Sequence, residues 1–422
     1  MAAPGAARRV AVTGAGVVSP LGDSPEALHA ALCAGESGLG PLAAVAPPEG
    51  FGGRLGCASA GEVRGFDPRE QLGDGNPRPL DRTAHLTVAA ARRALAAAGL
   101  LEPAGPAPGL GLVLGTMFGS VRTIAEFDRR ALTAGPLYAK PMDFANSVIN
   151  AAAGQTAIWY RLTGVNATLS GGPVAGAAAL AYAADLVRDG RTGTLLAGGA
   201  DELAFESFLG FERAGLLASE NGAGGMPRPY DRRRSGFVPA EGAALLVLEE
   251  EDAARARGAR ISAWLLGHGN AFDPSRGRDP ERATAAAARS MRLALADAGV
   301  GPGEIGAVSA AGSGSVAGDR CEARALAAVF GERAAKLPVT AVKSMLGEAL
   351  GASAAFQAVV LIEALGRGVL PGIRGLEEPE EGLPLSAAHA AARPLEGAAI
   401  GLVHAVGLDG HHASLVLARG EA

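Results

Sequence analysis

Cysteine, aromatic residues and lysine are all scarce in this chain of 422 residues. The three cysteines, Cys33, Cys57 and Cys321, are odd in number, far apart and without C-x-x-C spacing. That excludes a disulfide scaffold or a cysteine-built zinc site and points to a reducing, cytoplasmic setting. Aromatics make up 4% of the chain against 48% hydrophobic residues overall, so the core must be built from Ala, Val, Leu and Ile. Lysine occurs only at Lys140, Lys336 and Lys343, so arginine supplies nearly all 38 basic residues. We read this as coding bias rather than a site. A formal charge of −5 with no basic block argues against a nucleic-acid partner. No apolar run reaches about 18 residues free of charge or turn signals, and the N-terminus lacks a signal-peptide pattern, so no membrane partner is expected. What is abundant is glycine, with 62 residues and no collagen period, as in the tight turns of an α/β protein.

The run Arg9–Thr13 reads as a buried strand, and Gly14 and Gly16 after it as a turn. A lone G-x-G is weak evidence for a nucleotide site. The next helix starts only at the Asp23/Ser24 cap, with Pro25 in its first position. Internal repetition says more. The Ala-rich helix 83–98 ends at Gly99 and leads to the strand 110–114 and Gly115-Thr116. The helix 281–298 ends at Gly299 and leads to the strand 305–310 and the small residues 312–315. These copies predict a duplicated α/β fold with halves 1–255 and 256–422 stacked face to face, the seam lying near 249–260.

The segments VAVTGAGVVSPLGDS, LLAGGADE (195–202), RPYDRRRSGFVPAEGAALLVLEE (228–250), VKSMLGEALGA (342–352) and GLDGHHASLVL (407–417) resemble the β-ketoacyl synthases of the thiolase superfamily. The resemblance implies a thiolase-like, five-layered αβαβα fold. It also implies a dimer whose interface forms part of an acyl tunnel. Active members use a cysteine at a helix start and two histidines. Here Pro173 stands at the cysteine position of GVNATLSGGPVAG, Ala311 at the first histidine and Glu348 at the second. Proline suits a helix start but carries no nucleophile. Lys343 and Glu322 remain at their family positions and are expected to pair as ions holding two loops.

A synthase-like chain without the cysteine resembles a chain-length factor (ketosynthase beta), the non-catalytic subunit of a type II polyketide synthase. That subfamily usually carries glutamine where this chain has Pro173, which removes the basis for a decarboxylase role. The implied partners are an active ketosynthase alpha subunit, as a heterodimer, and an acyl carrier protein. No cofactor and no metal are implied. The tunnel candidates are Phe118 at the gate and Val121, Ile124 and Phe127 at helical spacing behind it. Low aromatic content suits a linear polyene or reduced chain.

The segment 144–158 is expected at the interface, with Phe144 and Gln155 in it, Asn146 and Asn150 bonding across it, and Ala151–Ala153 and Gly154 allowing close approach. His404, His411 and His412 are expected in a solvated or partner-contacting loop, with Asp409 alone as a nearby carboxylate. Arg232, Arg233 and Arg234 are candidates for attracting an acidic carrier protein. Two other readings remain open: a divergent synthase or acyltransferase using Ser170 or Glu348, and a purely structural scaffold.

Overall fold

The computed structural model describes residues 8–43, 45, 55–101, 109–219, 225–385 and 388–421. Ten strands form the main sheet. In chain order they are β1 (Val10–Val18), β2 (Gly111–Thr116), β3 (Asn166–Ser170), β4 (Thr194–Asp201) and β5 (Gly242–Glu250), then β6 (Ala263–Phe272), β7 (Ile305–Ser309), β8 (Val339–Thr340), β9 (Ile400–Val406) and β10 (His411–Arg419). Their spatial order is β8-β7-β9-β10-β6-β1-β5-β4-β2-β3. Read outward from the centre, each half runs first, fifth, fourth, second and third strand. The three outer strands of each half are parallel and the inner ones antiparallel. The repeat seen in two helix–strand units therefore extends to the whole strand order. Within the main sheet the halves join through a short antiparallel contact, Val10↔Leu265, Ala11↔Trp264 and Val12↔Ala263.

Six helices complete five layers. α1 (Arg82–Ala97) and α2 (Ala151–Tyr160) cover the outside of the first half, and α4 (Pro280–Ala298) and α5 (Val316–Phe330) the outside of the second. Between the sheets lie α3 (Ala175–Arg188) and α6 (Ser353–Arg367), each touching strands of both halves. The stretch Leu350–Arg367 is long and apolar enough, by length and composition, to cross a membrane. Here it contains the central helix α6, with Phe356, Leu361 and Leu365 buried among strands from both sides. A helix that is apolar all round is what an interior position between two sheets requires.

Gly14 and Gly16 correct the sequence reading. They do not end the strand but lie within β1, which bulges between Val12 and Gly14. A Cβ added at Gly14 would fall 2.5 Å from Ala94 O, and one at Gly16 would overlap Ala90 of the same helix, α1. The second half repeats the device: a Cβ at Gly267 would lie 2.7 Å from Ala294 O, and one at Gly269 2.5 Å from Ala294 N, both in α4. Glycine on the strand and alanine on the helix let the backbones approach closely, so a core poor in aromatics still fills its space. The expected helix start holds: Ser24 caps Pro25–Cys33 by accepting from Ala27 N, with Pro25 in the first turn.

Gly16→Ala is therefore expected to destabilise the protein by about 1–3 kcal/mol through overpacking. Gly193→Ala, where an added Cβ meets nothing within 4 Å, should change stability by less than about 0.5 kcal/mol. Denaturant unfolding of both variants against wild type checks this.

Candidate functional site

Pro173 lies in the 3₁₀ turn Gly172–Val174 that opens α3, as its helix-start chemistry predicts. Gly172 takes φ +64°, a conformation that favours glycine. This turn packs against the turn Leu350–Ala352 and against β9 and β10. The fold thus gathers the region after Glu348 and the strands bearing His404 and His412 around Pro173. No thiol or other nucleophile is supplied by Pro173 itself.

The expected Lys343–Glu322 ion pair is not what forms. Lys343 Nζ instead donates to Glu348 Oε2 at 2.7 Å, with both side chains buried. Glu348 Oε1 accepts from Ser353 Oγ at 2.5 Å and from Leu350 N at 3.1 Å. Glu348 is therefore the counter-ion of Lys343. Its oxygens are committed to structure, and Leu350 beside it is held at φ +53° although it is a bulky side chain. Glu348 and Ser353 lie five apart in sequence on either side of that strained turn, so no periodic pattern announced the contact.

Glu322 turns to a different set of partners. It accepts from His404 Nδ1 at 2.5 Å, Tyr230 Oη at 2.6 Å, Ala311 N at 2.8 Å and Gly312 N at 3.0 Å. The first histidine position, Ala311, thus contributes only a backbone N–H. Burial alone would raise the Glu322 carboxyl, but the hydrogen bond and charge of His404 hold it down at about 2. His404 Nε2 lies 3.3 Å from His412 Nδ1, and the two rings stack at 5.6 Å. These histidines are buried on neighbouring strands, not set in a solvated loop; only His411 is exposed, paired with Asp409 at 2.8 Å. The expectation failed because β10 begins at His411 and turns His412 inward. Among the described residues no group of three or more His, Cys, Asp or Glu is placed to hold a metal ion.

Arg232, Arg233 and Arg234 form no free basic patch. Arg232 pairs with Glu378, and Arg233 with Asp231 at 2.9 Å and Glu377 at 2.8 Å. Arg234 is buried against Asp319 and Glu380. Together they fasten this loop to the acidic segment 377–380. Apart from Asp231 the acids lie far away in sequence, so the arginine run was legible and most of its neutralisation was not.

The gate candidate Phe118 is half-buried, its ring centroid 5.9 Å from that of Phe211, which in turn lies 5.3 Å from Phe237. Its backbone is fixed by Asp201, a residue to which sequence reasoning gave no role. The Asp201 carboxylate accepts from Thr116 Oγ1, Met117 N, Phe118 N and Gly351 N at 2.7–3.2 Å. Burial raises its pKa to about 6. The adjoining Glu202 accepts from Arg122 N, and burial together with the charge of Asp81 raises its pKa to about 8. Val121, Ile124 and Phe127 lie half-buried on the helix Val121–Thr133. The Phe127 ring is tilted against that of Phe144, their centroids 6.1 Å apart.

The segments after this helix leave large apolar side chains in solvent, with Leu137 97%, Ile158 75% and Phe144 65% accessible. Leu132, Tyr138 and Met142 are exposed as well. Asn150 is also exposed. Asn146 is not aimed outward: it donates to Pro79 O at 2.7 Å and accepts from Gln155 Nε2 at 3.2 Å, so both amides bond within the chain. Ser170, at the exposed end of β3, donates to Met117 O at 3.3 Å and, among the described residues, bonds to no histidine that could activate it.

Two family models match in succession, the β-ketoacyl synthase N-terminal domain over residues 7–254 and the C-terminal domain over 262–377. The chain belongs to the β-ketoacyl synthase family. It is 31% identical to 3-oxoacyl-[acyl-carrier-protein] synthase 2 of Vibrio cholerae, across 98% of this chain and 99% of that one. It is 35% identical to a putative polyketide beta-ketoacyl synthase 2 of Streptomyces coelicolor, covering 99% and 96%. The solved ishigamide ketosynthase/chain length factor superposes with a TM-score of 0.90 at 33% identity, over 99% of this chain and 100% of that one. The likeness in fold thus extends over nearly the whole chain.

Two outcomes test this account. Lys343→Met alone leaves Glu348 buried without its counter-ion and should cost about 3–5 kcal/mol, whereas the double variant Lys343→Met/Glu348→Leu should recover most of it; a thermodynamic cycle from urea unfolding reads the difference. Glu202 holds its proton more tightly folded than unfolded, so stability should fall as pH rises from the ordinary carboxylate range to about 8, by up to about 1.4 kcal/mol per pH unit. Glu202→Gln should flatten that slope.

Proposed function

We propose that this chain is a non-catalytic chain-length factor. It pairs in the cytoplasm with an active ketosynthase of a type II polyketide synthase and shapes the tunnel that receives the growing acyl chain from a carrier protein. The observation that carries the reading is the Lys343–Glu348 pair: the second histidine position is used as a buried counter-ion, while Pro173 and Ala311 leave the other two positions without reactive groups. A condensing enzyme needs a thiolate and donors aimed at the thioester oxygen, and neither can be assembled from these side chains. The likeness to the ishigamide ketosynthase/chain length factor supports the same reading, as do the large apolar side chains of Leu137, Phe144 and Ile158 left in solvent.

Length control by such a subunit is steric. Burying one more methylene gains about 0.8 kcal/mol, whereas forcing it into filled space costs about 1–3 kcal/mol. One large side chain at the tunnel end therefore suffices to stop growth. Phe118 is the candidate, since its backbone is pinned by Asp201 and its ring backed by Phe211.

Co-expression with the partner ketosynthase should give a heterodimer by size exclusion, and the purified chain alone should neither condense nor decarboxylate malonyl carrier protein. Phe118→Ala in the complex should shift products to longer chains by mass spectrometry. Unchanged length would favour the scaffold reading. An acyl adduct on the lone chain would favour a divergent acyltransferase.

A further inference from the structure

Three consecutive backbone N–H groups around the gate candidate close on one acid. Met117 N donates to Asp201 Oδ2 at 2.7 Å and Phe118 N to Asp201 Oδ1 at 3.2 Å. Gly119 N donates to Thr116 Oγ1 at 3.0 Å, and that hydroxyl in turn donates to Asp201 Oδ1 at 2.7 Å. Successive N–H groups turned inward in this way, with Gly119 at φ +65°, form an anion-binding nest. Its anion is the chain's own carboxylate. Asp201 is fully enclosed, so the turn cannot loosen without leaving a buried acid short of donors.

The same carboxylate is anchored from the second half. Its fourth donor is Gly351 N, 2.7 Å from Oδ2. The preceding N–H, that of Leu350, goes to Glu348 Oε1 at 3.1 Å, and Glu348 is locked by Lys343 and Ser353. Two adjacent N–H groups are thus tied to two separate buried carboxylates, on a turn where Leu350 stands at φ +53°. The gate turn is thereby referenced to the start of α6 at Ser353. Side-chain packing constrains it less. Met117 and Phe118 are only half-buried, and the Phe118 ring meets that of Phe211 tilted, with centroids 5.9 Å apart. Where a half-buried ring stands depends on where its Cα is held.

We propose that Asp201 is a positioning residue for chain length: by fixing the turn Thr116–Gly119 against Gly351, its carboxylate sets how far the Phe118 ring stands across the path of the acyl chain. The inference rests on the chain-length reading, with Phe118 as the gate, and deepens it. Length is then a property of the backbone under the gate as well as of the gate side chain. Asp201 touches no substrate and acts only through the N–H groups that it holds.

Two readouts test it, one on the lone full chain and one on its complex with the partner ketosynthase. Thr116→Val removes the bridging hydroxyl with little change of volume, and Thr116→Ser keeps it. Asp201→Asn keeps the shape but turns one acceptor into a donor facing N–H groups. In the lone chain, amide hydrogen exchange at Met117, Phe118 and Gly119 should quicken about tenfold in Thr116→Val and Asp201→Asn, the loss of one hydrogen bond to a charged group. Thr116→Ser should exchange as wild type does. In the complex, Thr116→Val and Asp201→Asn should shift products toward longer chains by mass spectrometry, in the direction of Phe118→Ala, and Thr116→Ser should restore the wild-type length. Where Asp201→Asn yields no folded heterodimer, Thr116→Val carries the test. Exchange that stays at the wild-type rate in both loosening variants would overturn the proposal. So would a loosened turn with unchanged product length while Phe118→Ala still lengthens the product, a result that leaves the gate assignment standing. If Phe118→Ala also leaves length unchanged, the gate assignment itself fails and the proposal with it, so the two failures are told apart.

Discussion

Everything near the emptied site hangs on the Asp201 carboxylate. It is fully buried at the end of β4 and gathers donors from two places far apart in sequence: the turn Thr116–Phe118 and the turn at Gly351. Those turns can meet only because the backbones there carry almost no side chain. A Cβ at Gly351 would stand 2.5 Å from Thr116 Cα, and one at Gly176 2.7 Å from Gly351 O. One buried acid in a glycine knot therefore sets the position of the gate candidate, the start of α3 and the strained turn after Glu348. Four hydrogen bonds to one carboxylate compensate its removal from water.

The emptied site also shows what a buried lysine demands when its neighbours change. Lys343 is enclosed, and an enclosed ammonium without a partner is costly. Glutamate at position 348 reaches it across five residues and closes its own remaining valences on Ser353 and Leu350 N. Glu322, with Lys343 already matched, is free to organise Tyr230, His404 and the loop at Ala311. Lys343, Glu348, Glu322 and His404 thus each find a partner in two separate buried sets.

How far the sequence could be read follows from the range of the interactions. The Ala-rich helices, the Ser24 cap, Pro173 at a helix start and the helix–strand repeat depend on neighbours within a few residues, and all are found in the structure. Gly14 and Gly16 are visible as glycines, but their purpose lies in α1, some eighty residues on, so local sequence alone reads as a turn. The partners of Lys343, of Arg232–Arg234 and of His412 are set by tertiary contacts that no local pattern encodes. Asp201 was legible only as part of a recognisable phrase; its role needed the turn at Gly351, brought in from the other half.

The two ends of the ten-stranded sheet are unlike each other. At one end β8 is only Val339–Thr340, too short to template another strand. At the other, β3 runs five residues from Asn166 to Ser170 with no strand on its outer side among the described residues, close in sequence to the apolar residues around Ile158. An open edge of that length is a standing invitation to pair with any available strand, including that of another copy. A copy whose outer strand is left uncovered is therefore open to edge-to-edge pairing, a hazard set by the fold and separate from the stability of its core.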